Sequence, residues 1–270
     1  MIFAGCISIT LDSVVADPAG ESVWMLQLTE ALSSICVFLI PSLCTAWLCS
    51  DQSGNVLPVR SMTDVRMLSL VTLATLLIMP FISLTGYLNT LMHLPDALSS
   101  VEAWMREMED LAASVVGKLM SVKGTLPFLA NLLVIALLAG LTEEFMFRGA
   151  LLSILRKGIR NPHVAIWLVA VIFSAIHCQF YGFLPRMLLG AYLGYLLYWT
   201  KNLWLAVFAH FLNNAVAVIA LSNDSLKTNP LFSDEILPGD AGWISIVAAI
   251  GLVFFAACMT GIYRLGRQKA

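Results

Sequence analysis

Long apolar segments dominate this sequence and restrict it to one kind of fold. A bilayer core of ~30 Å needs about 20 mostly apolar residues per helix, and seven windows approach that requirement. They run approximately over 24–49, 67–94, 126–147, 164–180, 187–199, 203–221 and 242–263. The chain is 59% hydrophobic and 12% charged, which is roughly half of the charged fraction of a soluble domain. The sequence therefore predicts an all-α, polytopic transmembrane bundle of about seven spans, or eight if residues 2–16 also span.

One segment between the second and third windows has a different pattern. Residues 99–122 place apolar side chains three and four positions apart, with charged residues elsewhere, at Val101, Trp104, Met105, Met108, Leu111, Val115 and Leu119. This spacing predicts an amphipathic helix that lies on the membrane surface or covers the bundle as a lid, with a helix packed on loops as the alternative. Ser99 and Glu102 could form a capping box at its start. We expect one integral membrane domain over residues 1–270.

The charged residues indicate which partners the protein binds and how it is oriented in the membrane. The net charge is −2 and there is no basic run, so we expect the lipid bilayer and no nucleic acid as a partner. Cytoplasmic loops carry an excess of Lys and Arg. If the loop at 148–163 is cytoplasmic, alternating spans place about ten of the 15 Lys and Arg residues on that side. The C-terminus is then predicted to be cytoplasmic.

A few polar residues lie at membrane depth, where an unpaired charge costs several kcal/mol. They are Glu143, Glu144, His177, His210, Asn213 and Asn214. Positions four apart share a helix face, so Glu144 can pair with Arg148, and His210 lies beside Asn214. Glu143 is rotated by ~100° and stays outside the pair. One glutamate is thus predicted to be structural and the other available for chemistry.

The depth of these residues can be estimated by counting from the turns. Glu143 and His177 each lie fourteen residues from the turn near residues 157–163, or ~21 Å at ~1.5 Å per residue. Antiparallel neighbouring helices would bring them to one level, with Glu143 facing His177. His210 lies only seven to nine residues beyond the turn at Lys201 and Asn202. It meets them only if that turn is recessed or the helices tilt.

These residue types could activate water. A glutamate beside an imidazole can take a proton from water and return it to a leaving amine, while a second imidazole and an amide donate hydrogen bonds to an oxyanion. Each residue also has a structural interpretation, as an ion pair, a hydrogen-bonded core histidine or a helix-packing amide. Two histidines and a carboxylate could hold zinc, but HExxH is absent and we favour no metal or other cofactor. The six cysteines show no CxxC pair and are interpreted as small apolar residues.

Three short motifs occur in order along the chain. EExxxR spans Glu143 to Arg148, FxxxH spans Phe173 to His177, and HxxxN spans His210 to Asn214. Together they resemble the motifs of the CAAX-protease and bacteriocin-processing family of intramembrane glutamic endopeptidases. The resemblance covers roughly residues 125–220, which would form the catalytic core. The stretch from Phe173 to Gly182 is similar to the bacterial branch, so the resemblance implies a bacterial inner membrane and lowers the expectation of a prenylated substrate.

The resemblance also implies roles for these residues. Glu143 would be the general base, His177 its partner in activating water, and His210 with Asn214 the oxyanion hole. Arg148 would order the motif through Glu144. Helical spacing favours Asn214 over Asn213 as the residue that faces the site. The implied activity is cleavage of a membrane-associated peptide or protein; the alternatives are a proton-coupled transporter or channel, and an immunity or scaffold protein that binds without cleaving.

Overall fold

The computed structural model describes residues 21–49, 57, 58, 64–231, 236 and 239–269. Eight longer helices form within them. They are α1 (Glu21–Ser34, Ile35–Leu39 and Ile40–Cys49), α2 (Val65–Thr90), α3 (Ser99–Leu119), α4 (Thr125–Gly158), α5 (Pro162–Ala175), α6 (Phe183–Thr200), α7 (Leu203–Ser222) and α8 (Ala241–Lys269). The described part of the chain contains no strand. The predicted span at residues 2–16 lies outside the described residues.

Five of these helices are long and apolar enough to cross a membrane, namely α1, α2, α4, α7 and α8. This confirms the predicted helical membrane bundle, and the protein is an integral membrane protein. The windows predicted at 164–180 and 187–199 correspond to α5 and α6. With 14 residues, α5 is about 21 Å long, which is short of the ~30 Å bilayer core. The helix α6 carries Arg186 and falls outside the set of five.

Two of the apolar clusters in the core meet on α6 and α7. One joins α2 and α8 to these helices through side chains such as Val71, Leu193 and Ile262, all fully buried. The other surrounds Phe147 and Phe173 and joins α4 and α5 to them. Because α6 contributes to both clusters, it lies in the middle of the bundle. Its Gly190 and Gly194 lie closely against α5, which is the close helix approach that a GxxxG pair permits.

The turn between α6 and α7 lies inside the protein. Asn202 caps α7 by accepting a hydrogen bond from the Trp204 N–H, and both Asn202 and Leu203 are buried. The Leu203 N–H donates to the carbonyl of Pro58 at 2.8 Å, so a preceding segment covers the start of α7. This is the recessed turn that His210 needs in order to reach the level of Glu143.

The amphipathic segment forms α3, but its start differs from the prediction. A short 3-10 turn, Asp96–Leu98, precedes the helix, and the Ser99 N–H donates to the carbonyl of Asp96. The capping box predicted for Ser99 and Glu102 is therefore wrong, because the chain is already turning when it reaches Ser99. The Glu102 carboxylate instead accepts from the Leu94 N–H at 3.0 Å.

Candidate active site

The helix α4 alternates between two kinds of helical turn around the glutamate pair. Its α-helical segment Ala139–Glu144 lies between two π-helical segments, Leu132–Leu138 and Phe145–Leu151. A π turn holds more residues than an α turn and shifts the faces of the helix that follows it. Glu143 and Glu144 therefore present their side chains at the point where the register of α4 changes.

Glu144 and Arg148 form the predicted ion pair, and both side chains are fully buried. Arg148 Nη1 donates to Glu144 Oε1 at 2.6 Å, and Nη2 donates to the carbonyl of Gly190 at 2.9 Å. A Cβ atom added at Gly190 would lie 3.2 Å from Nη2, so the glycine leaves room for the guanidinium. The α6 backbone thus completes the binding of Arg148, a partner that sequence spacing does not reveal.

His210 lies beside both glutamates. Its Nδ1 is 2.8 Å from Glu144 Oε1, and its Nε2 is 3.9 Å from Glu143 Oε2. Because a carboxylate paired with Arg148 only accepts hydrogen bonds, His210 Nδ1 carries the proton and Nε2 is directed toward Glu143. Sequence spacing placed Glu144 with Arg148 alone and left the depth of His210 open. The structure instead joins all three residues at one carboxylate.

A glycine allows this close approach of α7 to α4. A Cβ atom added at Gly140 would lie 3.0 Å from the backbone nitrogen of Phe211 and 3.5 Å from the carbonyl carbon of His210. The two backbones therefore meet one helical turn before the glutamate pair. Gly140 carries no functional group, so the motifs did not single it out.

His177 lies in a turn rather than within a helix. The window predicted to continue to residue 180 ends at Ala175, and Cys178 has a left-handed backbone with φ of 54°. His177 Nδ1 lies 2.7 Å from the carbonyl of Phe173, which is one of the free carbonyls at the helix end. Since a carbonyl only accepts, Nδ1 is the donor and Nε2 keeps its lone pair. This bond fixes the orientation of the imidazole.

Phe173 brings the separate motifs together. Its ring lies 5.1 Å from the His177 ring and 6.0 Å from the His210 ring, and the Arg148 guanidinium lies 4.5 Å from its centre. Both imidazoles thus contact one phenyl ring. The ion-pair contact of Glu143 is with His210, whereas the expected approach of Glu143 to His177 stays a prediction.

The two asparagines of α7 are linked to each other and to α4. Asn214 Nδ2 donates to the carbonyl of Ile135 at 3.1 Å, and Asn213 Nδ2 donates to Asn214 Oδ1 at 3.2 Å. Ile135 lies in the first π-helical segment, where a widened turn weakens the regular backbone bonding. Asn214 is therefore the asparagine in contact with the helix that carries the glutamates.

The polar groups of the cluster are not all satisfied by the protein. Within the described residues, Glu144 Oε2 and Arg148 Nε are buried without a hydrogen-bond partner. In the same part of the chain, no group of three His, Cys, Asp or Glu side chains is arranged to hold a metal ion. The expectation that no cofactor is used stays a prediction.

The fold and this cluster define a helical membrane protein with a buried ionisable site inside its bundle. Residues 125–216 match the family model for type II CAAX prenyl endopeptidases, Rce1-like. This part of the chain is therefore similar to the CAAX-protease and bacteriocin-processing family, in which that family model falls. The match covers nearly the whole of the range 125–220 on which the resemblance rests.

A similarity to one bacterial protein agrees with the bacterial branch. The chain is 29% identical over 90 residues to the uncharacterized protein YpbD of Bacillus subtilis (strain 168). This alignment covers 32% of the chain and 43% of YpbD, so the chain spans less than half of that relative. No solved structure matches the chain.

Proposed function

We propose that this chain is an intramembrane endopeptidase that hydrolyses a peptide bond of a membrane-associated peptide or protein. The observation that carries the proposal is the position of His210, 2.8 Å from Glu144 and 3.9 Å from Glu143. A carboxylate and an imidazole held this close can bind water and move a proton. The family match over residues 125–216 supports a protease over the other membrane activities.

Glu143 is the general base in this proposal. The 3.9 Å between Glu143 Oε2 and His210 Nε2 is too long for a direct hydrogen bond but can be bridged by one water. The Glu143 side chain is 13% exposed, whereas Glu144 is fully buried and ion-paired. Glu143 takes a proton from the attacking water and passes it to the leaving amine.

The hydrogen bonds of the other residues support different roles for them. His177 donates through Nδ1, so its Nε2 can accept a hydrogen bond from the water. A protonated His210 Nε2 and the second amide hydrogen of Asn214 can donate to the oxyanion. Glu144 and Arg148 act as positioning residues for His210.

The location of the protein and the role of α3 complete the proposal. We place the protein in a bacterial inner membrane with a cytoplasmic C-terminus, following the distribution of Lys and Arg. The amphipathic helix α3 covers the bundle as a lid on the side of the loop that follows His177, since Trp104 and Phe180 pack at 5.2 Å. No metal is required for the reaction.

A peptide library read by mass spectrometry tests this function. The purified protein in detergent is compared with Glu143→Gln and His177→Gln, each with and without a chelator. We expect both variants to lower the cleavage rate by about 10²–10⁴-fold, the usual contribution of a general acid or base. Glu107→Gln is the matched control, because Glu107 is an exposed acid on α3.

Other outcomes would contradict the proposal. Identical product profiles for the wild type and both site variants would exclude proteolysis at this site. Proton flux into liposomes that depends on Glu143, without cleavage, would favour the transporter. Loss of activity with chelator, restored by zinc, would contradict the metal-free mechanism.

A further inference from the structure

A groove on the outside of the bundle is separate from the polar cluster. It has a volume of about 560 Å³ and is formed by α2, α5, α6 and α8, with walls that include Phe81, Trp167, Tyr192, Trp199, Phe255 and Tyr263. The polar cluster is formed instead by α4, α7 and the inner sides of α5 and α6. The groove is therefore independent of the residues proposed to carry out proteolysis.

The walls of the groove suit an apolar occupant. Trp167 on one wall is 40% exposed and Leu252 on the other is 38% exposed, and at membrane depth such surfaces contact hydrocarbon. The hydroxyls in the lining are already bonded within the protein. Tyr192 Oη lies 2.9 Å from Thr75 Oγ1, and Thr260 Oγ1 donates to the carbonyl of Ala256 at 2.8 Å.

One end of the groove differs from the rest by being aromatic and basic. Trp199 packs between Tyr195 at 5.2 Å and Tyr263 at 5.5 Å. The Tyr263 hydroxyl accepts from Arg267 Nη1 at 3.0 Å, and Arg264 is exposed on the neighbouring turn. Aromatic residues and arginines in this arrangement mark the level of the lipid headgroups. The end of α8 carries these cations without any acidic residue after Asp240.

The length of the groove matches one leaflet. From Leu188 to Trp199, α6 advances eleven residues along the wall, or ~16 Å at ~1.5 Å per residue. Half of a ~30 Å bilayer core is ~15 Å. The groove thus extends from the headgroup level to about the middle of the bilayer, as one acyl chain does.

We propose that this groove binds one phospholipid with an anionic headgroup. Its acyl chain lies along Trp167, Tyr192 and Phe255, and its phosphate is bound by Arg267 and Arg264. An apolar channel with cations at one end complements a molecule with a long hydrocarbon chain and a negative end. A juxtamembrane arginine contributes ~1 kcal/mol to binding an anionic lipid surface.

Native mass spectrometry of the delipidated full chain tests this proposal. Phosphatidylglycerol and phosphatidylcholine are titrated separately, and we expect one phosphatidylglycerol to bind more tightly than phosphatidylcholine. Arg267→Gln should weaken phosphatidylglycerol about fivefold and leave phosphatidylcholine unchanged. Ala256→Phe fills the groove and should abolish the bound lipid. Ala257→Phe, at the adjacent exposed position outside the groove, should retain it.

Fluorescence provides a second measurement that does not depend on the folding of Ala256→Phe. Phosphatidylglycerol with brominated acyl chains should quench wild-type tryptophan fluorescence saturably, and Trp167→Phe/Trp199→Phe should lose that saturable part. Equal lipid binding by Ala256→Phe and Ala257→Phe, or unchanged quenching in the tryptophan variant, would overturn the proposal. The proposal would also be overturned if the wild type formed a dimer that only the Ala256→Phe substitution dissociates, because a second copy of the chain would then occupy the groove.

Discussion

At the scale of single residues, one carboxylate organises the polar cluster. Glu144 Oε1 accepts from Arg148 at 2.6 Å and contacts His210 Nδ1 at 2.8 Å. Because Glu144 Oε1 accepts from Arg148 as a carboxylate oxygen, His210 Nδ1 is the nitrogen that donates to it. The orientation of His210 toward Glu143 is therefore set by an arginine that does not itself contact Glu143 in a hydrogen bond.

Removing that arginine should be costly. Arg148→Ala leaves the buried Glu144 carboxylate with its contact to His210 but without the arginine that pairs with it, and breaking a buried pair in this way costs about 3–5 kcal/mol. We expect a lower melting temperature in detergent, measured by thermal unfolding. The double variant Glu144→Gln/Arg148→Met removes both charges and should recover part of the loss.

An exposed ion pair offers the matched control for Arg148→Ala. Lys123 and Asp224 are 79% and 85% exposed and lie 3.0 Å apart, so Lys123→Ala should cost no more than about 1 kcal/mol. Equal destabilisation by Arg148→Ala and Lys123→Ala would mean that the buried pair contributes no more than a surface pair.

At the scale of helices, the site depends on how closely α7 approaches α4. The contact at Gly140 and the buried turn before Leu203 together set the level of His210. Neither feature belongs to a motif. The close approach at Gly140 and the buried turn nevertheless determine whether residues of the separate motifs come into contact.

A methyl group at Gly140 should separate the two helices. Gly140→Ala places Cβ 3.0 Å from Phe211 N, so α7 must move by a few tenths of an ångström and carry His210 away from Glu143. Such misplacement can lower activity by up to about 10²-fold, and overpacking costs about 1–3 kcal/mol. Both are measurable, by peptide cleavage and by thermal unfolding.

Gly158 on the same helix is the matched control. A Cβ atom there would meet nothing within 4 Å, and alanine is a better helix former by about 1 kcal/mol. Gly158→Ala should therefore leave activity unchanged and be neutral or slightly stabilising. If Gly140→Ala behaved in the same way, the close approach at Gly140 would not be needed for the site.

Helical periodicity predicts the local part of this arrangement. The i,i+4 spacing predicts the pair of Glu144 and Arg148, and the turn expected near residues 157–163 lies between the end of α4 and the start of α5. Periodicity does not predict contacts between helices. The contact of His210 with Glu144, for example, depends on packing at Gly140. The end of α5 at Ala175 was also missed, since apolar residues continue up to Ile176 and nothing in the pattern indicates the left-handed Cys178.

At the scale of the whole molecule, α3 is tied to the loop that carries His177. Glu102 accepts from Arg106 at 2.7 Å and from the Leu94 N–H at 3.0 Å, while Glu109 accepts from the Tyr181 N–H at 3.2 Å. The Arg106 guanidinium lies 4.8 Å from the centre of the Tyr181 ring. Movement of α3 would therefore pull on the backbone four residues after His177.

The attachment of α3 should withstand ordinary changes of pH. Hydrogen bonds from His93, Arg106 and the Leu94 N–H lower the pKa of Glu102 from its usual 4.5 to about 2. A depressed carboxyl pKa stabilises the fold above about 4.5, and the stabilisation is lost as the pH falls toward 2. We expect the protection of residues 99–106 from hydrogen exchange to stay constant between pH 5 and about 8, because Glu102 stays ionised over that range.

Removing the charge at neutral pH tests this attachment. Glu102→Gln should speed hydrogen exchange in residues 99–106 at pH 7, measured by mass spectrometry, whereas Glu107→Gln changes an exposed acid on the same helix and should not. Equal exchange in both variants would show that Glu102 does not hold α3 in place.

Because α4 contains π-helical segments, the geometry of the site depends on the number of residues in this helix. Removing one residue from Leu132–Leu138 would allow the segment to relax to ordinary α-helix. The carbonyl of Ile135, which accepts from Asn214 Nδ2, would then be drawn into the regular backbone hydrogen bonding of an α-helix. A single deletion there would leave every motif residue in the sequence and still remove the contact of Asn214 with α4, so among homologous chains the length of this helix should vary less than its apolar side chains do.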